Sequence, residues 1–337
     1  MNKIDVLAQI NPQMKSILDK ENELSGDTTD TSMGFELMRK NYIEGRKFWT
    51  QGGPLMAKTQ DTVIEGPYGA IPLRFYYPTE KAYSAKVDQK SEMPALVYVH
   101  GGGFCLGNIE THDRICRVLS NFSDSVVISV DYRLAPEAKF PVQVEEVSYV
   151  ISYIHEHDYE YGVDGQRIGM AGDSGGAHLN LAATLYLRAN QKDTSYIKCL
   201  LLYYGWYGLR DSSSMRLFGG PWDGLTEEDW NYYLELYTND LREVETSPFI
   251  NLFLNDLSHG MPACYIAAAE FDPLIDDSKT LAAICKQYHI PYKFEIFMGT
   301  IHAFLHYTRV LNEANEALKH GATFFKQQLG IPENELK

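Results

Sequence analysis

Positive charge is what this chain most conspicuously lacks: 30 Lys and Arg face 45 Asp and Glu, leaving a formal net charge of −15 over 337 residues. Attraction to a phosphate backbone or an anionic bilayer draws on clustered basic side chains, so neither nucleic acid nor membrane is expected as a partner. Cysteine is scarce as well. The five, Cys105, Cys116, Cys199, Cys264 and Cys285, are an odd number with neither metal-ligand nor disulfide-framework spacing. They read as small buried thiols of a reducing compartment. No apolar run is long enough to span a bilayer, and Met1 to Met14 has neither the basic start nor the continuous apolar stretch of a secretory signal. The expected location is therefore the cytoplasm. Metal-ligand spacing is also missing: His155 and His157 form only an H-x-H pair near a helix end, so no metal is expected.

What the sequence does contain is a 45% hydrophobic content, enough to bury one large core or two small ones. Its periodicity changes along the chain. From Ile4 to Leu18, the residues Leu7, Ile10, Met14, Ile17 and Leu18 recur at helical spacing, and Phe35, Met38, Tyr42 and Trp49 repeat the pattern after a polar break. Thr62 to Glu65 and Ile71 to Tyr77 then read as strands of a hairpin turned at Gly66-Pro67-Tyr68-Gly69. A polar loop is expected around Tyr83 to Glu92. Beyond it, short apolar runs alternate with longer helical stretches, as in a parallel sheet with crossover helices. The runs are Ala95 to Val99, Val126 to Val130, Ile168 to Ala171, Ile197 to Tyr204, Cys264 to Ala269 and Tyr292 to Met298, which with the hairpin predicts eight strands. Helices are expected over about Glu110 to Phe122, Val142 to His157, Gly175 to Ala189, Leu274 to Tyr288 and Ala303 to Leu329.

One stretch breaks the alternation. Between Gly205 and Gly260 lies an insertion rich in Gly, Trp and Tyr, with a capped helix announced by Thr226 ahead of Glu227, Glu228 and Asp229. The reading is a helical N-terminal cap segment over 1–55, a core over 56–204, a cap insertion over 205–260, and the rest of the core over 261–337. The two cap pieces are expected to cover the carboxyl edge of the sheet.

The chemistry enters at Gly172-Asp173-Ser174-Gly175-Gly176, a G-x-S-x-G pattern between an expected strand and an expected helix. A serine on such a turn takes a strained backbone, and the flanking glycines let strand and helix close up while the hydroxyl projects above the sheet. Alone, the pattern fits a glycine-rich turn with an incidental serine equally well. Upstream, however, His100-Gly101-Gly102-Gly103-Phe104 follows the strand Ala95 to Val99, where glycine amides can turn inward toward an oxyanion. A phosphate cradle would want Lys-Ser or Lys-Thr after the glycines, and Phe104 and Cys105 stand there instead. The amides of Gly101, Gly102, Gly103 and Gly175 are the candidate oxyanion hole. His100 belongs to that loop, with a structural ring.

A nucleophilic serine needs a base, and the order Ser, acid, His directs the search downstream. Asp272 follows the strand Cys264 to Ala269, and His302 follows the last strand, so both belong at the edge that carries Ser174. Glu270 is a weaker substitute for the acid, while Asp276 and Asp277 read as helix N-terminal charges favoured by the dipole. His289, His306 and His320 fall on or beside helices and are expected to be structural or solvent-facing, and His178, on the helix after Ser174, is expected to be packed and hydrogen-bonded.

Together these segments resemble the hormone-sensitive-lipase-like branch of the α/β hydrolases. The resemblance rests on His100-Gly101-Gly102-Gly103, Asp131-Tyr132-Arg133-Leu134-Ala135-Pro136-Glu137 with Phe140-Pro141, Gly172-Asp173-Ser174, Asp272-Pro273-Leu274 and His302-Ala303-Phe304. Finer stretches, among them Trp222-Asp223-Gly224-Leu225-Thr226 and Tyr207-Gly208-Leu209-Arg210-Asp211-Ser212, look like the enterobacterial acetyl esterases of that branch. The resemblance implies an α/β-hydrolase fold, with a mostly parallel eight-stranded sheet, helices on both faces and a helical cap. It implies cleavage of short-chain acyl esters by Ser174, Asp272 and His302, without a cofactor. It admits a homodimer and a regulatory protein partner, and it shares its machinery with amidases and peptidases. A ligand-binding or regulatory protein on the same fold is the reading from another class. The chain departs from the family's pattern at Gly175, where alanine is common. Arg133 and Glu137 are expected to brace the active-site loops, and Trp206, Tyr207, Trp222 and Tyr233 are candidate lining for an acyl pocket.

Overall fold

The computed structural model describes residues 4–25, 34–88, 93–223 and 225–331. The break expected between the first two helices, the end of the loop expected up to Glu92, and Gly224 thus fall partly or wholly outside the described residues. In chain order the elements begin with α1 (Pro12–Ser25), α2 (Phe35–Trp49), β1 (Lys58–Gly66), β2 (Gly69–Tyr77), α3 (Glu80–Asp88), β3 (Ala95–Val99), α4 (Ile109–Ser123) and β4 (Val126–Val130). There follow α5 (Val142–Glu156), α6 (Asp158–Tyr161), β5 (Ile168–Asp173), α7 (Gly175–Ala189) and β6 (Ile197–Tyr203). The insertion then holds α8 (Ser213–Leu217), α9 (Glu227–Tyr237) and α10 (Glu243–Thr246), after which come β7 (Ala263–Phe271), α11 (Ile275–Gln287), β8 (Tyr292–Ile301) and α12 (Asn312–Gln328).

The eight strands form one sheet in the order β1-β2-β4-β3-β5-β6-β7-β8, antiparallel at the hairpin and at β2–β4 and parallel elsewhere. Its central strands are buried on both faces, and successive residues feed opposite layers. Val97 and Val99 pack with Val144 and Val147 of α5 and Leu179 of α7, while Leu96 and Tyr98 pack with Leu119 of α4 and Leu318 of α12. The register matters for function. Val99 pairs with Gly172, Gly172 with Leu202, Tyr203 with Ala267, and Phe271 with Ile301, so several parallel strands end at one edge. Whatever follows β3, β5, β7 and β8 is delivered there. No helix among the described residues is long and apolar enough to cross a membrane.

Three expected boundaries are corrected. The first helix starts at Pro12, not Ile4: Asn11 caps it, its Oδ1 accepting the Met14 amide at 2.8 Å, and proline suits the first helical position. Val6 and Ile10 are buried from an irregular turn before it, which imitates helical spacing. The polar loop after β2 is helical through Asp88, started by Thr79, whose hydroxyl accepts the Ala82 amide at 3.2 Å. The last helix starts at Asn312, not Ala303. Ala303 adopts φ 63°, which no right-handed helix continues, and Phe304–Tyr307 make a single 3₁₀ turn. Phe304, Leu305 and Leu311 are buried all the same, so the apolar period runs through the break.

Candidate active site

Ser174 joins β5 to α7 at φ 51° and ψ −121°, a conformation costly for a residue with a Cβ. Its surroundings leave it no alternative. A Cβ on Gly176 would lie 2.0 Å from the Val99 carbonyl oxygen and one on Gly172 would lie 2.6 Å from it, so α7 can seat against β3 only because both positions are glycine. The Ser174 amide donates to the Tyr203 carbonyl at 2.9 Å, fixing the turn from the β6 side.

The edge brings together the three side chains expected there. The Ser174 Oγ lies 2.9 Å from His302 Nε2, and His302 Nδ1 lies 2.9 Å from Asp272 Oδ2. The other oxygen, Asp272 Oδ1, accepts the Leu274 amide at 2.8 Å, which sets the carboxylate plane. Asp272 is fully buried and His302 nearly so. Burial acts to lower the His302 pKa, but the charge of Asp272 and its hydrogen bond, aided by Asp223 and Asp173, outweigh it and raise the imidazole above its ordinary value. The neighbouring histidines go the other way. Burial holds His100 down at about 3 and His178 at about 4, and it carries His306 well below its usual range.

A pH dependence follows from that direction. A base must be neutral to take a proton from Ser174, so its function is lost as pH falls through its pKa. Labelling of Ser174 by a fluorophosphonate is expected to slow on acidification with a midpoint above 6.5, the ordinary imidazole value. A profile that is flat, or that breaks well below 6.5, contradicts the pairing with Asp272.

Not every amide expected to form an oxyanion hole lacks a partner. The Gly101 amide is engaged, donating to Asp173 Oδ1 at 3.0 Å, so it does not face a reacting oxygen. His100 is buried with its ring on Tyr132 (centroids 4.4 Å apart) and its Nδ1 at 2.9 Å from the Gly101 carbonyl, as a structural histidine should be. That leaves Gly102, Gly103 and Gly175, which line one cavity with Ser174 and whose amides meet no acceptor among the described residues. Gly102 sits at φ 121°, and a Cβ there would lie 2.3 Å from the Leu106 carbonyl oxygen, so only glycine allows this loop path. At Gly175 a Cβ would lie 3.3 Å from the Phe104 ring, a tight fit that this chain's glycine relieves.

Several further residues hold the site together. Asp277 does more than complement a helix dipole: its Oδ1 accepts the amides of Tyr207, Gly208 and Leu209 at 2.7, 3.0 and 3.1 Å, pinning the start of the insertion. Asp276 accepts the Ser214 amide at 2.9 Å, and Glu270 accepts the Gly299 amide at 2.7 Å. Glu137 pairs with Arg39 of α2, whose Nε and Nη2 also donate to the carbonyls of Cys105 and Ala135, clamping α2 onto the glycine loop. Arg133 pairs with buried Glu146. His178 stacks on Trp206.

His306, placed on a helix by sequence, lies instead on the 3₁₀ turn, buried, with Nε2 at 3.0 Å from Tyr42 Oη. With His112 and Asp173 it forms the one grouping of metal-ligating type among the described residues, its candidate atoms within 4.8 Å of one another. Asp173 there already accepts from Tyr98 and Gly101, which fits a hydrogen-bonded brace behind Ser174 better than a set of free ligands. None of these long-range partners carries a local sequence signal.

Two cavities flank His302. The inner one, about 60 Å³, is walled by Ser174, the three glycines, Phe104, Trp206, Trp230, Tyr233 and Leu274, and it shares Arg46, Asp223 and His302 with the outer one. The outer one, about 360 Å³, lies between α1 and the insertion and includes Lys15, Asp19, Arg46, Trp222, Asp223 and His302. Of the aromatics named from sequence, Trp206 and Tyr233 face the inner cavity and Trp222 the outer, while Tyr207 lines neither.

This architecture has close relatives. Residues 96–306 match a family model described as alpha/beta hydrolase fold. An esterase from Pyrobaculum calidifontis superposes with a TM-score of 0.84 at 28% identity, over 96% of this chain and 100% of that one. A thermophilic and thermostable carboxylesterase cloned from a metagenomic library is similar at 31% identity and a TM-score of 0.82, over 89% of this chain and 99% of its own. An ester hydrolase from the metagenome of Lake Arreo, solved with a bipyridine phosphonate derivative, gives 0.84 at 26% identity, over 95% and 99%.

Proposed function

Because this chain belongs to the α/β-hydrolase family, in its hormone-sensitive-lipase-like branch, we propose that it is a carboxylic ester hydrolase cleaving short-chain acyl esters through Ser174, His302 and Asp272. The observation that carries the reading is the unbroken hydrogen-bonded line from Ser174 Oγ through His302 to Asp272, beside glycine amides without acceptors. His302 Nε2 takes the hydroxyl proton as Ser174 Oγ attacks the ester carbonyl, and the new alkoxide settles among the amides of Gly102, Gly103 and Gly175. Asp272 keeps Nδ1 protonated and stabilises the imidazolium. When the tetrahedral species collapses, His302 gives the proton to the departing alcohol. Water then enters the same place, loses a proton to His302 and releases the acid, restoring Ser174. All the groups needed are side chains and amides of this chain.

The short-chain preference rests on the inner cavity. An acyl group esterified to Ser174, its oxygen toward the glycine amides, must extend into about 60 Å³ closed by Trp206, Trp230 and Tyr233. With α1, α2 and the insertion as a cap over the sheet edge, long acyl chains would have to displace packed aromatic rings, which costs more than their burial returns. Across p-nitrophenyl acetate, butyrate, octanoate and palmitate, kcat/KM is expected to peak at acetate or butyrate and to fall at least about tenfold by octanoate, the equivalent of about 1.4 kcal/mol. A maximum at octanoate or beyond would overturn the short-chain assignment. Wild-type protein inactive on every ester would favour a binding or regulatory role, and anilide turnover above ester turnover would favour an amidase.

A further inference from the structure

We propose that the alcohol half of the substrate is an uncharged, hydroxyl-rich molecule of monosaccharide or polyol type, held in the outer cavity between Arg46 and Asp223. The inference rests on the esterase reading above and deepens it. The two halves of the ester can be assigned from the chemistry. The acyl group remains on Ser174 with its oxygen at the glycine amides, and those residues line only the inner cavity. The alcohol leaves by taking a proton from His302 Nε2, and His302, like Arg46 and Asp223, stands at the junction of the two cavities and lines both. The outer one, about 360 Å³, is therefore where the alcohol stands at the moment it departs, and its size suits a small molecule.

Its walls carry hydrogen-bonding capacity that the protein does not use. Arg46 is nine-tenths buried, held by Glu21 at 3.1 Å and lodged against the rings of Tyr42 and Tyr307 through its guanidinium. Its Nη1 donates to Glu21 and, at 3.4 Å, to Tyr307, and Tyr42 is a further hydrogen-bonding neighbour, so the unmatched capacity lies on the facing side of the cavity. Asp223 comes from the insertion on the opposite side. Its Oδ1 accepts the amides of Gly220 and Leu225, both at 3.2 Å, while Oδ2 is enclosed and has no partner. Burial pushes this carboxyl up to about 7, so near neutrality it can accept a hydroxyl proton or donate its own. Enclosed polar atoms left unmatched cost stability, and a ligand offering both donors and acceptors would remove that cost.

The remaining lining selects the class. Lys15 and Arg46 are matched in number by Asp19 and Glu21, leaving only the partly ionised Asp223 in excess, so the cavity offers little charge to favour an anionic alcohol. Trp222 adds an aromatic surface beside Asp223, with an indole N–H that also lacks a partner. A broad ring flanked by donors and acceptors of nearly balanced charge suits a molecule with apolar ring faces and hydroxyls at its rim.

The test compares two acetates of the same ring size: a mono-acetylated methyl glucopyranoside and cyclohexyl acetate, which lacks the hydroxyls. Wild-type kcat/KM is expected to favour the sugar acetate at least about tenfold. Asp223→Asn keeps the Oδ1 acceptor but cannot ionise, and Asp223→Leu removes both oxygens. Relative to wild type, the sugar-to-cyclohexyl ratio should fall modestly in the first and about tenfold or more in the second, mainly through KM. Thermal unfolding of both variants separates this from loss of fold, and methyl glucoside should inhibit p-nitrophenyl acetate turnover competitively in wild type and more weakly in Asp223→Leu. Equal rates on the two acetates, or a ratio unchanged in Asp223→Leu, would overturn this proposal alone. No turnover of either acetate or of p-nitrophenyl acetate would overturn the esterase reading, and this one with it.

Discussion

Ser174→Ala is expected to lower kcat for p-nitrophenyl acetate by roughly five to six orders of magnitude, with little change in thermal stability. The size follows from what the substitution leaves behind. Alanine removes the only group that forms the acyl-enzyme, whereas the Gly102, Gly103 and Gly175 amides, the cavity and His302 all remain. Sites stripped of their nucleophile in this manner retain about 10³- to 10⁴-fold acceleration over water from oxyanion stabilisation and binding. Stability should hold because the strain at φ 51° comes from the backbone, and alanine carries the same Cβ as serine. The hydroxyl's one side-chain partner is His302 Nε2, which the cavity can rehydrate. Purified variant and wild type, compared by steady-state rate, melting temperature and fluorophosphonate labelling, decide the matter. Turnover within tenfold of wild type in a folded, unlabelled variant would remove Ser174 from the mechanism.

The sequence made some of this legible and hid the rest for physical reasons. The strands were readable because a sheet buried on both faces demands unbroken apolar runs, and because turn glycines such as Gly66 and Gly69 mark where the chain reverses. Ser174, Asp272 and His302 could be found because each directly follows a strand, and a strand's end is a local signal. Helix starts at Ile4 and Ala303 were misplaced because buried turns carry apolar residues at the same spacing as helices, and Asn11-Pro12 was the better marker of the true start. Arg39, Arg46, Asp277 and His306 escaped functional notice for another reason. Their roles depend on partners far away in sequence, as when Tyr42 meets His306 or Asp277 gathers three amides from 207–209. No window of sequence contains both halves of such a contact.

Asp272→Asn should be the second most damaging change, lowering kcat/KM for p-nitrophenyl acetate by about 10⁴-fold while leaving Ser174 in place. The carboxylate faces His302 Nδ1 at 2.9 Å and accepts a hydrogen bond from its N–H, which leaves Nε2 free to accept from Ser174. The asparagine amide would be held with its oxygen on the Leu274 amide, where Asp272 Oδ1 now accepts, so its NH₂ would face His302. That donor selects the tautomer with the proton on Nε2, and a protonated Nε2 cannot act as base. Loss of the charge would also lower the His302 pKa, because Asp272 is the largest of the influences that raise it. The residual activity should therefore keep its rate to lower pH than wild type. Asp276→Asn and Asp277→Asn provide the contrast. Burial pushes the Asp277 carboxyl up to about 7, so near neutrality it is only partly ionised, and the oxygen of an asparagine there can still receive the Tyr207, Gly208 and Leu209 amides. Both variants are expected to stay within about threefold of wild type, the scale of a modest hydrogen-bond adjustment. A carboxylate that merely supports the fold would lower the melting temperature and the rate together. Asp272→Asn should instead lower the rate by about 10⁴-fold while preserving the melt, and a loss of that size in Asp277→Asn with Asp272→Asn unharmed would remove Asp272 from the mechanism.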